Sequence, residues 1–446
     1  MITRLGWATA AHGGTQGVRL ATNLVLTRLL VPEIFGIMLI VNTLRTGAEL
    51  LTDIGIGQNI VASKNGDDRD FLDTAWTLQV IRGVLVGGLI AAVSAPVAAI
   101  YGNQILSQIL PLTGILVAIL GTESVARCVA LRHSQLSRLT FFEIAMVSVG
   151  AVLQIGFAWA FPTVWGLIYA NLAGAAVIVV ASYFILPYRH PRIHFNRVHA
   201  HEILHFGKWI FLSSIIYFIS TNFDRLYLGT AIPFALLGIF GVARSLSEVL
   251  ATFVLRIGNM IVFPAVAAAQ GNLDELRRKL GSARLPLLLL AAVAIAGFVA
   301  MSDRLITIMY DARYHDAAYM LPVLAVGVWF TILATIAESV LLGVGRPVYA
   351  AVGNVAKLIW LAVSLPVALS THGVMGGVIA IALADGFRYA AIWVAQKREG
   401  LSFARQDIGV TLLMVAMIAL WREVFFLIGL TSTWVQWWTG AQALLK

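Results

Sequence analysis

An all-α, polytopic membrane protein of about 12 to 14 transmembrane helices is the fold class the sequence predicts, and three observations predict it. Hydrophobic residues make up 59% of the 446 and charged residues only 12%, about half the charged share of a soluble domain. Apolar runs long enough to span a bilayer, roughly 20 residues each, follow one another with short polar interruptions. The loops between them are rich in Lys and Arg on one side and poor on the other. A water-soluble fold is thereby excluded, and no interruption is long enough for a second, extramembrane domain.

Apolar runs bounded by turn signals place helices near 7 to 30, 34 to 60, 72 to 100, 105 to 128, 139 to 161, 164 to 186, 206 to 230, 235 to 264, 285 to 302, 320 to 343, 348 to 370, 373 to 395 and 406 to 429. The first is interrupted by His12, Gly13, Gly14 and Gln16, unlike the apolar core of a signal peptide, so it is expected to be retained. A basic loop, 187–205, separates a first six-helix bundle, 1–186, from a second, 206–395, and 396–446 adds a helix or hairpin. Trp434, Trp437 and Trp438 suit the headgroup level, whether 431–446 is a short further span or an interfacial segment.

Arg4, Lys64, Arg69, Arg127, Arg132, Arg138, the 187–205 loop, Lys208, Arg277, Arg278, Lys279, Arg284, Arg346, Lys397, Arg398 and Arg405 fall on one side. The opposite side, through the last helix, has Arg304 and Arg313. The rule that basic loops stay inside puts the N-terminus in the cytoplasm. The net charge of +9 is spread over short loops rather than gathered into a basic stripe, which argues against nucleic acid as a partner. Cys128 is the single cysteine, so no internal disulfide or cysteine-rich metal site forms. His190, His194, His199, His201 and His205 read as part of a solvated loop rather than a metal cluster. No phosphate-binding glycine loop, nucleophile elbow or zinc-helix motif is present, so neither an enzyme activity nor a cofactor is expected.

The two halves repeat each other. Leu30-Val31-Pro32-Glu33-Ile34-Phe35-Gly36 matches Ile232-Pro233-Phe234-Ala235-Leu236-Leu237-Gly238, and Ile100-Tyr101-Gly102 leading to Leu110-Pro111 matches Met309-Tyr310-Asp311 leading to Leu321-Pro322. An even number of helices per half makes these parallel repeats, an architecture that puts a central binding cavity between halves rocking from inward-open to outward-open forms.

Charges at bilayer depth cost at least about 2.5 to 3.5 kcal/mol each and need a partner or a wet cavity. His12, Gln16, Arg19 and Asn23 form one stripe of the first helix, and Asn42, Arg45, Glu49 and Asp53 one stripe of the second. Arg45 with Glu49, Arg244 with Glu248, and Glu123 with Arg127 have the spacing of pairs that neutralise each other. Arg19, Arg82, Arg225 and Lys357 have no acid three or four residues away. That surplus predicts a positive cavity suited to an anionic cargo. Its candidate residues are Arg19, Arg45, Arg82, Arg225, Arg244 and Lys357, with Glu49, Asp224, Glu248 and Asp385 the candidates for proton or sodium coupling.

Thr27-Arg28-Leu29-Leu30-Val31-Pro32-Glu33-Ile34-Phe35-Gly36, Asp53-Ile54-Gly55-Ile56, Asn222-Phe223-Asp224-Arg225-Leu226-Tyr227-Leu228-Gly229, Leu237 to Arg244, Val262-Phe263-Pro264-Ala265 and Met309 to Tyr314, taken in order, carry a resemblance. With them the chain resembles the polysaccharide and oligosaccharide flippases of the multidrug/oligosaccharidyl-lipid/polysaccharide exporter superfamily. The resemblance implies movement of an undecaprenyl-pyrophosphate-linked oligosaccharide from the cytoplasmic to the periplasmic leaflet of a bacterial inner membrane, for surface polysaccharide or exopolysaccharide assembly. The implied partners are the lipid-linked oligosaccharide, membrane lipids, a polysaccharide polymerase and a chain-length regulator. Two rivals stand beside it: a multidrug or cation antiporter of the same superfamily, which would need intramembrane carboxylates for a cationic cargo, and a membrane glycosyltransferase or ligase.

Overall fold

The computed structural model describes residues 2–53, 55–184, 191–268 and 273–445, with side chains described from Gly13 onward except at 206–213, 253–276, 443 and 445. His12, Arg189, His190 and Lys208 therefore lie outside the described side chains. The described chain is all helix and turn, without strands among the described residues. Its elements are α1 (Ile2–Leu29), α2 (Pro32–Leu50), α3 (Ile56–Ala62), α4 (Arg69–Ala92), α5 (Ser94–Ile100), α6 (Ile105–Gly121), α7 (Ala126–Arg132), α8 (Leu136–Ala160), α9 (Val164–Phe184), α10 (Arg197–Ala231), α11 (Phe234–Ala268), α12 (Leu273–Ala300), α13 (Ser302–Met309), α14 (Ala317–Gly343), α15 (Val348–Arg398), α16 (Ala404–Leu427) and α17 (Trp434–Ala441). Among the described residues eight helices are long and apolar enough to cross a membrane, or nine if the pair α6 and α7, bent by 52°, counts as one span. The chain is a multi-pass membrane protein.

The predicted runs correspond to these elements, except that 72 to 100 divides into α4 and α5, 105 to 128 divides into α6 and α7, and three other places are instructive. The run 34 to 60 divides into α2 and α3 because Gly55 adopts φ 63° and Asp53 Oδ1 accepts the Gly55 N–H at 3.0 Å, a turn that glycine takes without steric cost. The runs 348 to 370 and 373 to 395 are α15, with the break at His372 and Gly373, where Gly373 has φ 55°. The basic loop is shorter than 187–205: α10 begins at Arg197, capped by the Asn196 side chain. Residues 192, 194 and 196 donate their N–H groups to Asp73, Thr77 and Thr74 of α4. His199 is accordingly not a solvated loop residue. It sits in the first turn of α10 with its ring 5.4 Å from that of Phe71. At the other end of the chain, α17 rises only about 12 Å, too little to span.

By internal contacts the chain forms two compact units, Met1–Phe218 with Leu228–Ala235, and Ile219–Tyr227 with Leu236–Lys446. In the first, Leu30, Ile37, Val41, Ile90, Leu106, Ile109, Val117 and Leu167 belong to one apolar core. There α4 packs along α6 at backbone contact: a Cβ on Gly87 would lie 2.3 Å from the Gly114 oxygen, and one on Gly83 would lie 2.8 Å from Gly121 Cα. Small residues at such crossings let helices approach in a medium that offers no hydrophobic drive. In the second unit, α12, α14 and α16 close around Trp329, Leu333, Ile295 and Met414. The repeat shows in detail. Each unit has a short helix (α5 or α13) before its tyrosine turn, followed by a helix with an internal proline, Pro111 in α6 and Pro322 in α14.

Candidate functional site

The first unit contains an open cavity of about 620 Å³, lined by stripes of α1, α2, α6, α8 and α9, within the roughly 300–1,000 Å³ of ligand-sized pockets. Helical spacing explains the lining: Arg19, Asn23 and Leu26 on α1; Phe35, Met38, Asn42 and Arg45 on α2; Gly150 and Gln154 on α8; Asn171, Gly174 and Ile178 on α9. Small residues supply the space, since a Cβ at Gly150 or Gly174 would meet nothing within 4 Å. Arg19 and Arg45 are the charged residues of this lining, and among the described residues it contains no carboxylate. Arg45 forms no ion pair with Glu49, contrary to its spacing, and its buried Nε has no hydrogen-bond partner. The buried Asn23 Oδ1 also lacks one, while Gln154 donates to Asn171 Oδ1 at 3.0 Å.

Arg82 is elsewhere. It lines a smaller cavity, about 270 Å³, together with Glu49, Asp53 and Glu123. There it donates to the Glu49 carbonyl at 2.5 Å and to Thr52 Oγ1 at 3.3 Å, and lies 3.8 Å from Asp53. The expected pair of Glu123 with Arg127 is replaced by one of Arg127 with Glu143, at 2.9 Å.

In the second unit the candidates are brought together, but as a balanced network. Arg225 and Arg244 both hold Glu248, Arg244 at 3.0 Å, and Arg244 lies 3.9 Å from Asp224. Lys357 donates to Asp385 at 2.9 Å, Thr331 donates to the same carboxylate at 3.0 Å, and Arg388 lies 3.6 Å from it while also bonding Glu338. Four cations thus meet four carboxylates. Arg82, Arg225 and Lys357 find their acids far along the chain, so of the surplus that local spacing suggested Arg19 remains, joined by Arg45, which does not take its expected partner.

Residues 25–319, about two thirds of the chain, match the model of a family described as "Polysaccharide biosynthesis protein". The chain belongs to that family. This membership agrees with the resemblance carried by the motifs above. Among its relatives is the lipopolysaccharide biosynthesis protein WzxC of Escherichia coli (strain K12), 21% identical over 72% of this chain and 65% of that protein, so the match spans less than two thirds of the relative's length. Another is the succinoglycan biosynthesis transport protein ExoT of Rhizobium meliloti (strain 1021), 21% identical over 88% of this chain and 77% of that one. In architecture the family member is similar to the lipid II flippase MurJ in an inward closed conformation, with TM-score 0.77 and 12% identity over 98% of this chain and 95% of that one. It is also similar to an inward-facing multidrug resistance MATE family transporter of the MOP superfamily, with TM-score 0.63 and 15% identity over 90% and 95%. At these identities the two likenesses speak for the fold.

Two buried ion pairs went unread in the family member's sequence. Arg284, placed with the loop charges, is fully buried, donates to Asp407 at 2.8 Å and stacks 4.5 Å from the Phe403 ring centre, while Tyr389 donates to the same carboxylate. Arg422 is 1% exposed. It bonds Asp303 at 3.1 Å and Ser432 Oγ at 2.8 Å and lies 5.1 Å from the Trp434 ring centre, tying the segment before α17 to α13. Residues 119 and 123 apart in sequence give no periodic signal, so only the rarity of buried arginine could have flagged them.

Proposed function

We propose that the protein is a flippase that carries a lipid-linked oligosaccharide, with an undecaprenyl-pyrophosphate anchor, across the bacterial inner membrane for surface polysaccharide or exopolysaccharide assembly. One observation carries the reading: a cavity whose charged lining residues, among the described residues, are Arg19 and Arg45. Guanidinium groups match phosphate oxygens in charge and in fork geometry, and a cavity without a carboxylate is unsuited to the cationic cargo of an antiporter. Family membership and the names of the relatives point the same way. The protein changes no covalent bond of its cargo, which crosses by alternating access with its lipid tail in the bilayer. Glu49 is the coupling carboxylate, because Asp224, Glu248 and Asp385 are all held in ion pairs. A polymerase and a chain-length regulator receive the cargo on the far side.

The orientation that goes with this reading, N-terminus in the cytoplasm, is checked by cysteines at Gln104 and His372, which should react with an impermeant thiol reagent from the periplasm, and one at Asn65, which should not. The function is tested by deleting the gene in its host. Lipid-linked oligosaccharide should accumulate on the cytoplasmic leaflet, wild-type protein should clear it, and an Arg19→Gln/Arg45→Gln variant present at equal abundance should not. Clearance by that variant would overturn the cavity as the cargo site.

A further inference from the structure

The cavity of the first unit is polar in two separate layers. Counted at roughly 1.5 Å per residue from the ends of the helices at residues 29 to 32 and 160 to 164, Asn23, Gln154 and Asn171 lie about 9 to 10 Å along, and Arg19 and Arg45 about 15 and 20 Å along. The helices α1 and α8 keep nearly the same level: a Cβ on Gly14 would lie 3.3 Å from Ile144 Cδ1, and the two residues stand 15 and 16 residues before the ends of their helices. Side chains lean toward a helix N-terminus, so Arg45, on the descending α2, and Arg19, on the ascending α1, lean toward each other's level. Arg19 and Arg45 therefore share one level, to which Asn42, about 15 Å along, also belongs, and the amides of Asn23, Gln154 and Asn171 lie nearer the end where residues 161–163 turn.

The amide layer is built for hydrogen bonding. Gln154 and Asn171 stand in the mostly apolar halves of α8 and α9 next to the 161–163 turn, fixed against each other at 3.0 Å. That bond uses one N–H and one carbonyl lone pair and leaves further donors and acceptors on both amides. Asn23 Oδ1 has none of its capacity used. Buried polar groups that are left unsatisfied cost about 1 to 3 kcal/mol, so a ligand that supplies the missing partners is favoured over one that does not. Neutral amides match hydroxyl and acetamido groups, which both donate and accept. They offer no countercharge to an acidic or amino sugar.

We propose that Asn23, Gln154 and Asn171 form a sugar-reading layer, selecting a neutral, hydroxyl-rich sugar attached to the phosphate that the arginine layer holds, with the sugar directed toward the 161–163 turn. The proposal rests on the anion-cavity reading above and deepens it. Two probes test it on the purified full-length protein: a short-chain prenyl pyrophosphate, and the same pyrophosphate carrying a neutral disaccharide. Wild type should bind the glycosylated probe about tenfold more tightly. Gln154→Met/Asn171→Leu should bring the ratio of the two affinities close to one, Gln154→Asn should keep part of it, and Arg19→Gln/Arg45→Gln should weaken both probes while preserving the ratio. The ratio is taken on the same folded molecules, so partial misfolding does not alter it. An amide variant that keeps the wild-type ratio, or a wild type that shows no preference, overturns the sugar layer and leaves the anion cavity standing. A wild type that binds neither probe overturns both.

Discussion

Arg45 and Arg244 lie on corresponding helices of the two repeats, each four residues before a glutamate, yet among the described residues one is unpaired in a cavity and the other is locked. The helix next door makes the difference. Before α11 comes α10, which contributes Asp224 and Arg225, so that Arg244, Glu248 and their neighbours neutralise one another. Before α2 comes α1, whose residues Ile2–Leu29 include no Asp or Glu, and Arg45 has nothing there to pair with. The same local spacing thus yields structure in one repeat and an open binding feature in the other. An i, i+4 pair in a membrane helix is a statement about possibility, and the facing helix decides it.

The comparison is broken most severely by removing one partner from the balanced side. Asp385→Asn leaves Lys357, 7% exposed, without its countercharge, a change that costs about 3 to 5 kcal/mol when one member of a buried pair is removed. Its expected mark is a large fall in detergent melting temperature and membrane abundance. Lys357→Met/Asp385→Leu, which removes both charges, should recover most of the loss. If Asp385→Asn is as stable as wild type, the network is not holding the second unit together.

On the cavity side the opposite signature is expected. Arg45→Gln leaves no buried carboxylate orphaned, so abundance and melting temperature should stay near wild type, while cargo contact weakens by about 1.5 to 3 kcal/mol, as for a hydrogen bond to a charged group. Surface polysaccharide should fall accordingly, and Arg45→Lys should restore part of it by keeping the charge without the fork. A destabilised Arg45→Gln with normal transport per molecule would erase the distinction between the two repeats.

A gentler change converts one side into the other. Asn42 lies three residues before Arg45, so Asn42→Asp puts an acid into the cavity lining at helical pairing distance. It should lower affinity for the glycosylated pyrophosphate probe through competition for Arg45, with stability unchanged or slightly raised. Unchanged affinity would mean that Arg45 does not meet the anion.

How much of this was legible follows the range of the interaction. Spans, the proline turns and the repeat are written in local apolar periodicity and turn residues, and the structure follows them. The cut at Gly55 was legible too, in Asp53-Ile54-Gly55, but the apolar run across it hid the signal. Arg19, Asn23, Asn42 and Arg45 were readable as stripes, because one helix face is a local property. The partners of Arg82, Arg225, Lys357, Arg284 and Arg422 were not, because they lie between 23 and 123 residues away, beyond the reach of helical periodicity. Gln154 and Asn171 were missed because a single amide in an apolar span carries no pattern until the two are seen side by side.

The smallest effect is expected where arginine and carboxylate meet in water. Arg132 donates to Asp67 at 2.9 Å, and its Nη1 donates to the carbonyls of Ile60, Val61 and Ser63, fastening the end of α3. The hydrogen bond from Arg132 holds the Asp67 carboxyl below its ordinary 3.8, with His133 adding to the effect and slight desolvation opposing it. A carboxyl whose value is lowered in the folded state contributes stability that is fully present above its unfolded value and is lost as pH falls through the lowered one. Asp67 is half exposed, and solvent-screened pairs of this kind contribute only about 0.2 to 1 kcal/mol. Asp67→Asn should therefore melt slightly below wild type at pH 7, and the gap should close as the pH is taken below 3.8. The carbonyl bonds of Arg132 do not titrate, so Arg132→Gln should cost more than Asp67→Asn at every pH. A gap that widens on acidification, or an Asp67→Asn cost rivalling that of Asp385→Asn, would show that burial is not what separates the strong pairs of this protein from the weak ones.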